Sequence, residues 1–122
     1  MMVEKLTLNG KTVAIIEGKE KVLTDTQSAL DLIMAAKYEA GTTLLAIDKE
    51  AIVEDFFILR CGLAGEVLQK FVNYQVKIAV FGDFSQYTSK PLRDFFYESN
   101  KGKDIFFVST KEKAVERLVE VG

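Results

Sequence analysis

Five carboxylates carry the densest candidate chemistry in this chain. Asp48, Glu50, Glu54 and Asp55 crowd one short stretch, and Asp83 closes a later apolar run. Brought together, three of them would offer hard oxygen ligands to Mg²⁺ or Ca²⁺. The competing expectation is local: Asp48 and Asp83 cap strand-to-loop turns, and the others are solvated or paired with Lys49 and Arg60. A second candidate is Gly62-Leu63-Ala64-Gly65, which would let a phosphate approach a helix N-terminus. It lacks the longer glycine pattern and lysine of a phosphate loop, so helix–sheet packing competes. A third is Cys61, beside Arg60 and before a helix, where a thiolate is favoured; a spectator cysteine is the alternative.

The chain contains no His. Ser-His-Asp and Cys-His catalysis and imidazole zinc sites are therefore excluded. Cys61 is the only cysteine, so no intrachain disulfide forms. No catalytic residue is assigned, and no metal or cofactor is expected. The 122 residues suit one domain, and 48% hydrophobic with 28% charged residues is a globular balance. A net charge of −2 gives no footprint for nucleic acid or an anionic membrane. No apolar run approaches the length of a membrane span, and the N-terminal residues lack the pattern of a secretory signal. A soluble cytoplasmic protein is expected.

The elements that must position these residues follow from pattern. Val3 to Leu8 alternates like an edge strand, Asn9-Gly10 marks a two-residue hairpin turn, and Lys11 to Glu17 is its antiparallel partner. Thr24 and Gln27 have capping-box spacing, which predicts a helix from Asp25 to Glu39 ended by Gly41. Thr42 to Ile47 reads as a buried strand. Gly62 to Gln75 is a helix with Leu63, Val67, Phe71 and Tyr74 on its core face. Val76 to Phe81 is a second buried strand, and Gly82 to Thr88 is loop. Ser89 caps a third helix with Pro91 in its first turn. Asp104 to Val108 is a third buried strand, and Thr110 caps a last helix to Val121. The order β-β-α-β-α-β-α-β-α predicts a single α/β domain, a mixed sheet with an N-terminal hairpin and then parallel strands.

The segment IVEDFF, followed by GLAGEVLQKFVNYQVKIAVFGDFSQYTSKPLRDFFYESNKG, resembles the bacterial family called domain of unknown function 4180. TDTQSALDLI before it and IFFVST after it fit too, so the resemblance runs from Thr24 to Leu118. Its motifs are Glu54-Asp55-Phe56-Phe57, Gly62-Leu63-Ala64-Gly65-Glu66 and Gly82-Asp83-Phe84-Ser85. The family implies no known activity. Its element order resembles STAS-like domains, which implies a four- or five-stranded mixed sheet, helices largely on one side, and a role in protein–protein switching. Antagonists of that group carry a phosphorylatable Ser or Thr at the helix after the central strand. Here Leu59-Arg60-Cys61-Gly62 carries no hydroxyl.

The expected function is a non-enzymatic regulatory or protein-interaction domain, acting as a homodimer or with a protein partner. Its surface would run from Glu54 to Gly65 and from Gly82 to Ser89. Adjacent aromatic pairs cannot both face one way on a strand or helix, so one of Phe56/Phe57 and one of Phe96/Tyr97 would lie at the surface, with Phe84 and Tyr87 beside them; the alternative is a core covered on both faces of the sheet. The rival reading is a small metal- or ligand-binding enzyme, with a pocket where Asp48, Asp55, Glu66 and Asp83 meet and Ser85 nearby.

Overall fold

Continuous apolar runs decide this architecture, because the parallel strands bury side chains on both faces of one sheet. The computed structural model describes residues 2–122. The strands are β1 (Glu4–Leu8), β2 (Lys11–Ile16), β3 (Leu44–Asp48), β4 (Lys77–Phe81) and β5 (Ile105–Val108). The helices are α1 (Thr26–Met34), α2 (Leu63–Asn73), α3 (Lys90–Lys101) and α4 (Lys111–Val121). The sheet order is β1-β2-β3-β4-β5; only β1 and β2 are antiparallel, and β2 to β5 run parallel. This is the α/β domain expected, with an N-terminal hairpin and then parallel strands. No helix among the described residues is long and apolar enough to cross a membrane.

Strand order explains helix placement. Each parallel crossover steps in the same direction, and a right-handed crossover then puts α1, α2 and α3 on one face. Ala14, Ile16, Leu45, Ile47, Ile78, Val80 and Phe107 point to that face. Val13, Ile15, Leu44, Ala46, Ala79, Phe81 and Phe106 point to the other, where α4 alone returns across β2 to β5. Ala46 and Ala79 are register partners on that face, so the sheet presents small side chains to α4. β1, at the edge of the sheet, is exposed along its whole length.

Local signals explain most boundaries. Asn9 and Gly10 both take positive φ (53° and 78°), as a two-residue turn of type I′ requires. Ser89 and Thr110 cap α3 and α4 by accepting from Leu92 N and Lys113 N. The first helix differs from expectation. Its N-cap is Asp25, whose Oδ1 accepts from Ser28 N at 2.7 Å, while Ser28 Oγ accepts from Asp25 N at 3.0 Å. Asp with Ser three positions on closes the box one residue later than Thr24 and Gln27 would. The helix also widens into a π turn over Ala35–Glu39, where Ala40 N reaches Ala35 O. Thr42 N then reaches Ala36 O across Gly41, whose φ of +64° is the expected left-handed stop. In α2 the buried face is Ala64, Val67, Leu68 and Phe71; Leu63 is half-buried and Tyr74, at the C-cap, is exposed.

Candidate functional site

Parallel strands end together, so the segments that follow them meet at one edge. After β3 the chain makes three short 3₁₀ turns, Lys49–Ala51, Glu54–Phe57 and Leu59–Cys61, before α2 begins. After β4 it runs as a loop from Gly82 to the cap of α3. After β5 comes Ser109.

Two aspartates end adjacent strands with the same local device. Asp48 Oδ1 accepts from Glu50 N, and Asp83 Oδ1 accepts from Ser85 N, both at 2.9 Å. Each closes an Asx turn. Asp48 Oδ2 also accepts from Gly18 N at 3.3 Å, tying in the segment that leaves β2. Hydrogen bonds from the Ser85 side chain and backbone hold Asp83 below the usual carboxylate range, with Lys49 adding a smaller attraction. These aspartates thus serve the turns, as the local expectation had it.

The acidic cluster of the rival reading does not assemble. Among the described residues no group of three His, Cys, Asp or Glu side chains is placed to hold a metal ion. Glu66 faces a different groove, with Thr26, Gln69 and Asn73. Asp55 is exposed and lines neither cavity of the carboxyl edge. Glu54 is taken up by Tyr87, whose hydroxyl donates to Glu54 Oε1 at 2.6 Å. The reason is position: these acids sit on turns and a helix that splay away from the strand ends.

The glycine turn is also plainer than either reading of it. Gly62 has φ +77° and N-caps α2 without a side-chain bond. A Cβ on Gly65 would meet nothing within 4 Å, so Gly65 neither packs closely nor clears a cradle. Cys61 is exposed.

The aromatic expectation is corrected in part. Tyr97 is 63% exposed, as one member of its pair had to be. Phe56 and Phe57 are both buried, at 1% and 5%. They lie on a 3₁₀ turn that has neighbours on both sides. Phe56 meets Phe107 at 6.4 Å between centroids, and Phe57 stacks on Tyr87 at 4.9 Å with 23° between the planes. Phe84 and Phe96, 5.0 Å apart, complete a half-buried aromatic layer over the ends of β4 and β5.

Sequence reasoning missed the residue at the centre of this edge. Lys49 is buried, at 6% exposure, inside a run that reads as a solvated acidic loop. Its ammonium lies 3.7 Å from Glu50 Oε1 and 5.2 Å from the Tyr87 ring centroid. Its stem passes against Gly82, whose φ of +150° belongs to glycine. Tyr87 is thereby enclosed by Phe57, Lys49 and Glu54. Burial first, then the bond to Glu54 and its charge, raise the Tyr87 phenol well above its ordinary value.

Tyr87 forms the wall between two cavities. One, of about 530 Å³, is lined by Asp83, Phe84, Ser85, Arg93, Phe96 and Ser109 beside it. The other, of about 610 Å³, is lined by Glu54, Phe57, Ile58, Leu59, Arg60, Pro91 and Leu92, with Gln86 to Ser89. Of the expected site residues, Glu54, Phe57, Asp83, Phe84, Ser85 and Tyr87 are brought to these cavities. Arg93 and Ser109 join them; Ser109 was findable as the residue leaving a parallel strand, whereas Arg93 carried no signal beyond its helix.

A search of curated proteins gave no match, and a search of solved structures gave none. The model of one family, domain of unknown function (DUF4180), matches residues 8–118, and the chain belongs to that family.

Proposed function

We propose that this domain is a cytoplasmic, non-enzymatic interaction module of STAS-like type. Its partner surface is the carboxyl edge formed by the turns from Glu54 to Gly65 and the loop from Gly82 to Ser89. The observation that carries this reading is the second cavity. Its lining is apolar at Phe57, Ile58, Leu59, Pro91 and Leu92, and carries the charged Glu54 and Arg60 and the polar Gln86, Thr88 and Ser89. Apolar side chains mixed with a few charged and polar ones are the composition of a protein-binding groove. Ile58 is 38% exposed there, so apolar surface is available to a partner side chain.

The STAS-like part of the reading is supported by the order β1-β2-β3-β4-β5 and by three crossover helices on one face. The phosphorylation switch of that group has no support, because Leu59-Arg60-Cys61 stands where the hydroxyl would be. The rival enzyme reading needs carboxylates that converge, and Asp48 and Asp83 are instead committed to Asx turns.

Affinity capture from the source cell tests the proposal, with wild-type bait compared against Ile58→Asp and Leu59→Asp baits by quantitative mass spectrometry. A partner retained by the wild type and lost from both variants, at unchanged melting temperature, is the expected result. A capture profile indifferent to both substitutions sinks the proposal.

A further inference from the structure

The two edges of this sheet are treated differently. At β5 the backbone of Phe107 faces outward and is closed off by one side chain. Asn100 Oδ1 accepts from Phe107 N at 2.7 Å, and Asn100 Nδ2 donates to Phe107 O at 3.0 Å. An edge satisfied in this way offers a foreign strand no ladder at that point.

At β1 the edge is open. The hairpin register sets which groups face out. Leu8 pairs with Lys11 across the two-residue turn, then Leu6 with Val13 and Glu4 with Ile15. In a hairpin closed by such a turn these are the hydrogen-bonded pairs. Thr7 and Lys5 therefore direct their N–H and C=O groups away from β2. A separate contact agrees: the Thr12 carbonyl, opposite Thr7, accepts from the Thr42 hydroxyl on the β3 side. No backbone bond from another element reaches Lys5 or Thr7 among the described residues.

The same edge leaves apolar surface uncovered. Met2, Leu6 and Leu8 are 82%, 45% and 38% exposed. Leu6 and Leu8 share the face of Val13, which α4 covers only as far as β2.

The geometry points to a second copy of this chain on that edge, with β1 pairing antiparallel to its own copy across a two-fold axis. Only residues with outward backbone groups can form the bonded pairs, which restricts the register. Placing Leu6 opposite its own copy sets Lys5 opposite Thr7 and Glu4 opposite Leu8. The whole strand is then paired, and each Lys5–Thr7 pair exchanges both hydrogen bonds. A shift of the axis to Lys5 opposes two like charges directly. A shift to Thr7 runs Lys5 into the hairpin turn at Asn9. In the favoured register Leu6 faces its own copy, Leu8 lies diagonal to the partner's Leu6 on the same face, and two five-stranded sheets join into one. The strand is thus complementary to itself, which is what an isologous interface requires. This dimer does not depend on the partner surface at the carboxyl edge, and either can fail alone.

Light scattering on the full chain at several concentrations, with two kinds of variant, decides it. Wild type is expected to be a dimer at micromolar concentration. Thr7→Pro removes an outward N–H and the exposed hydroxyl contact with Thr12 but no bond of the hairpin ladder, so the hairpin survives while the dimer weakens by about tenfold or more. In a Cys61→Ser background, Leu6→Cys is expected to form an interchain disulfide on mild oxidation. Directly opposed non-bonded positions lie about 4.5 Å apart, within disulfide reach. Lys5→Cys in the same background is the control, and its sulfurs are held apart by the register. A monomer at every concentration overturns the inference, as does a Lys5→Cys crosslink that forms as fast as the Leu6→Cys one. Should Thr7→Pro lose its cooperative melt, the cysteine pair decides.

Discussion

Gly82 and Lys49 meet just past the ends of two adjacent strands. A Cβ on Gly82 would lie 2.8 Å from Lys49 Cβ, and Gly82 also holds φ +150°. The two residues leave β4 and β3, and their contact locks the buried lysine beneath Tyr87. The candidate surface therefore rests on a position where any other side chain would be both strained and crowded.

Gly82→Ala is expected to destabilise the fold by about 3 kcal/mol, combining the glycine-only backbone with overpacking. Gly65→Ala is the contrast. Its Cβ would meet nothing within 4 Å, and Gly65 lies within α2. Alanine there should stabilise by about 0.5–1 kcal/mol. Urea denaturation of both variants checks the pair, and equal effects would contradict the contact.

The sheet was legible because its strands are short apolar runs bounded by glycine, asparagine or charge. Asn9-Gly10, Ser89 and Thr110 carried their own geometry, and the structure uses each as its residue type requires. What escaped is tertiary. Lys49 lies in DKEAIVED, and nothing local says that one charge in that run is buried. Strand and helix periods put Phe56 and Phe57 on opposite faces, yet a 3₁₀ turn wedged between α2 and the aromatic layer covers both. Carboxylates close in sequence were dispersed because turns and helix starts point them apart. Residue type suggested a site; only topology decides which types meet.

Tyr87→Phe keeps the ring and removes the hydroxyl that donates to Glu54. Glu54 is exposed, so solvent screens the bond, and the expected loss near neutral pH is about 1 kcal/mol. The pH dependence has a definite sign. The folded phenol is raised above its ordinary value, so the folded state holds its proton while the unfolded chain releases one. Stability is therefore fully present below pH of about 10 and falls as pH rises beyond it. Denaturation from pH 8 to 11 should show a steeper decline for wild type than for Tyr87→Phe. Parallel declines would assign the effect to other groups.

Asp25→Ala should cost about 1 kcal/mol, because it strips α1 of its cap, whereas Gln27→Ala should change stability little. Gln27 bonds only to Asp31 on the exposed face of the helix. Thermal melts of the two variants separate the observed box from the one that Thr24 and Gln27 suggest. A larger loss at Gln27 would restore the earlier start.

Asn100→Ala tests whether the blocked edge matters for solubility as well as stability. The substitution leaves the Phe107 N–H and C=O without their side-chain partner, which costs about 1–3 kcal/mol where water cannot replace it. It also gives β5 the open ladder that β1 already has. The Arg117 guanidinium bonds to the Asn100 carbonyl at 2.9 Å, and that backbone contact survives the change, so α3 keeps its tie to α4. The expected outcome is a folded variant with a lowered denaturation midpoint and concentration-dependent aggregation absent from wild type. Asn100→Asp restores an acceptor for Phe107 N but supplies no donor for its carbonyl, so it should fall between the two. Light scattering during slow heating orders the three proteins, and an Asn100→Ala variant as soluble and stable as wild type would show that the clamp has no protective role.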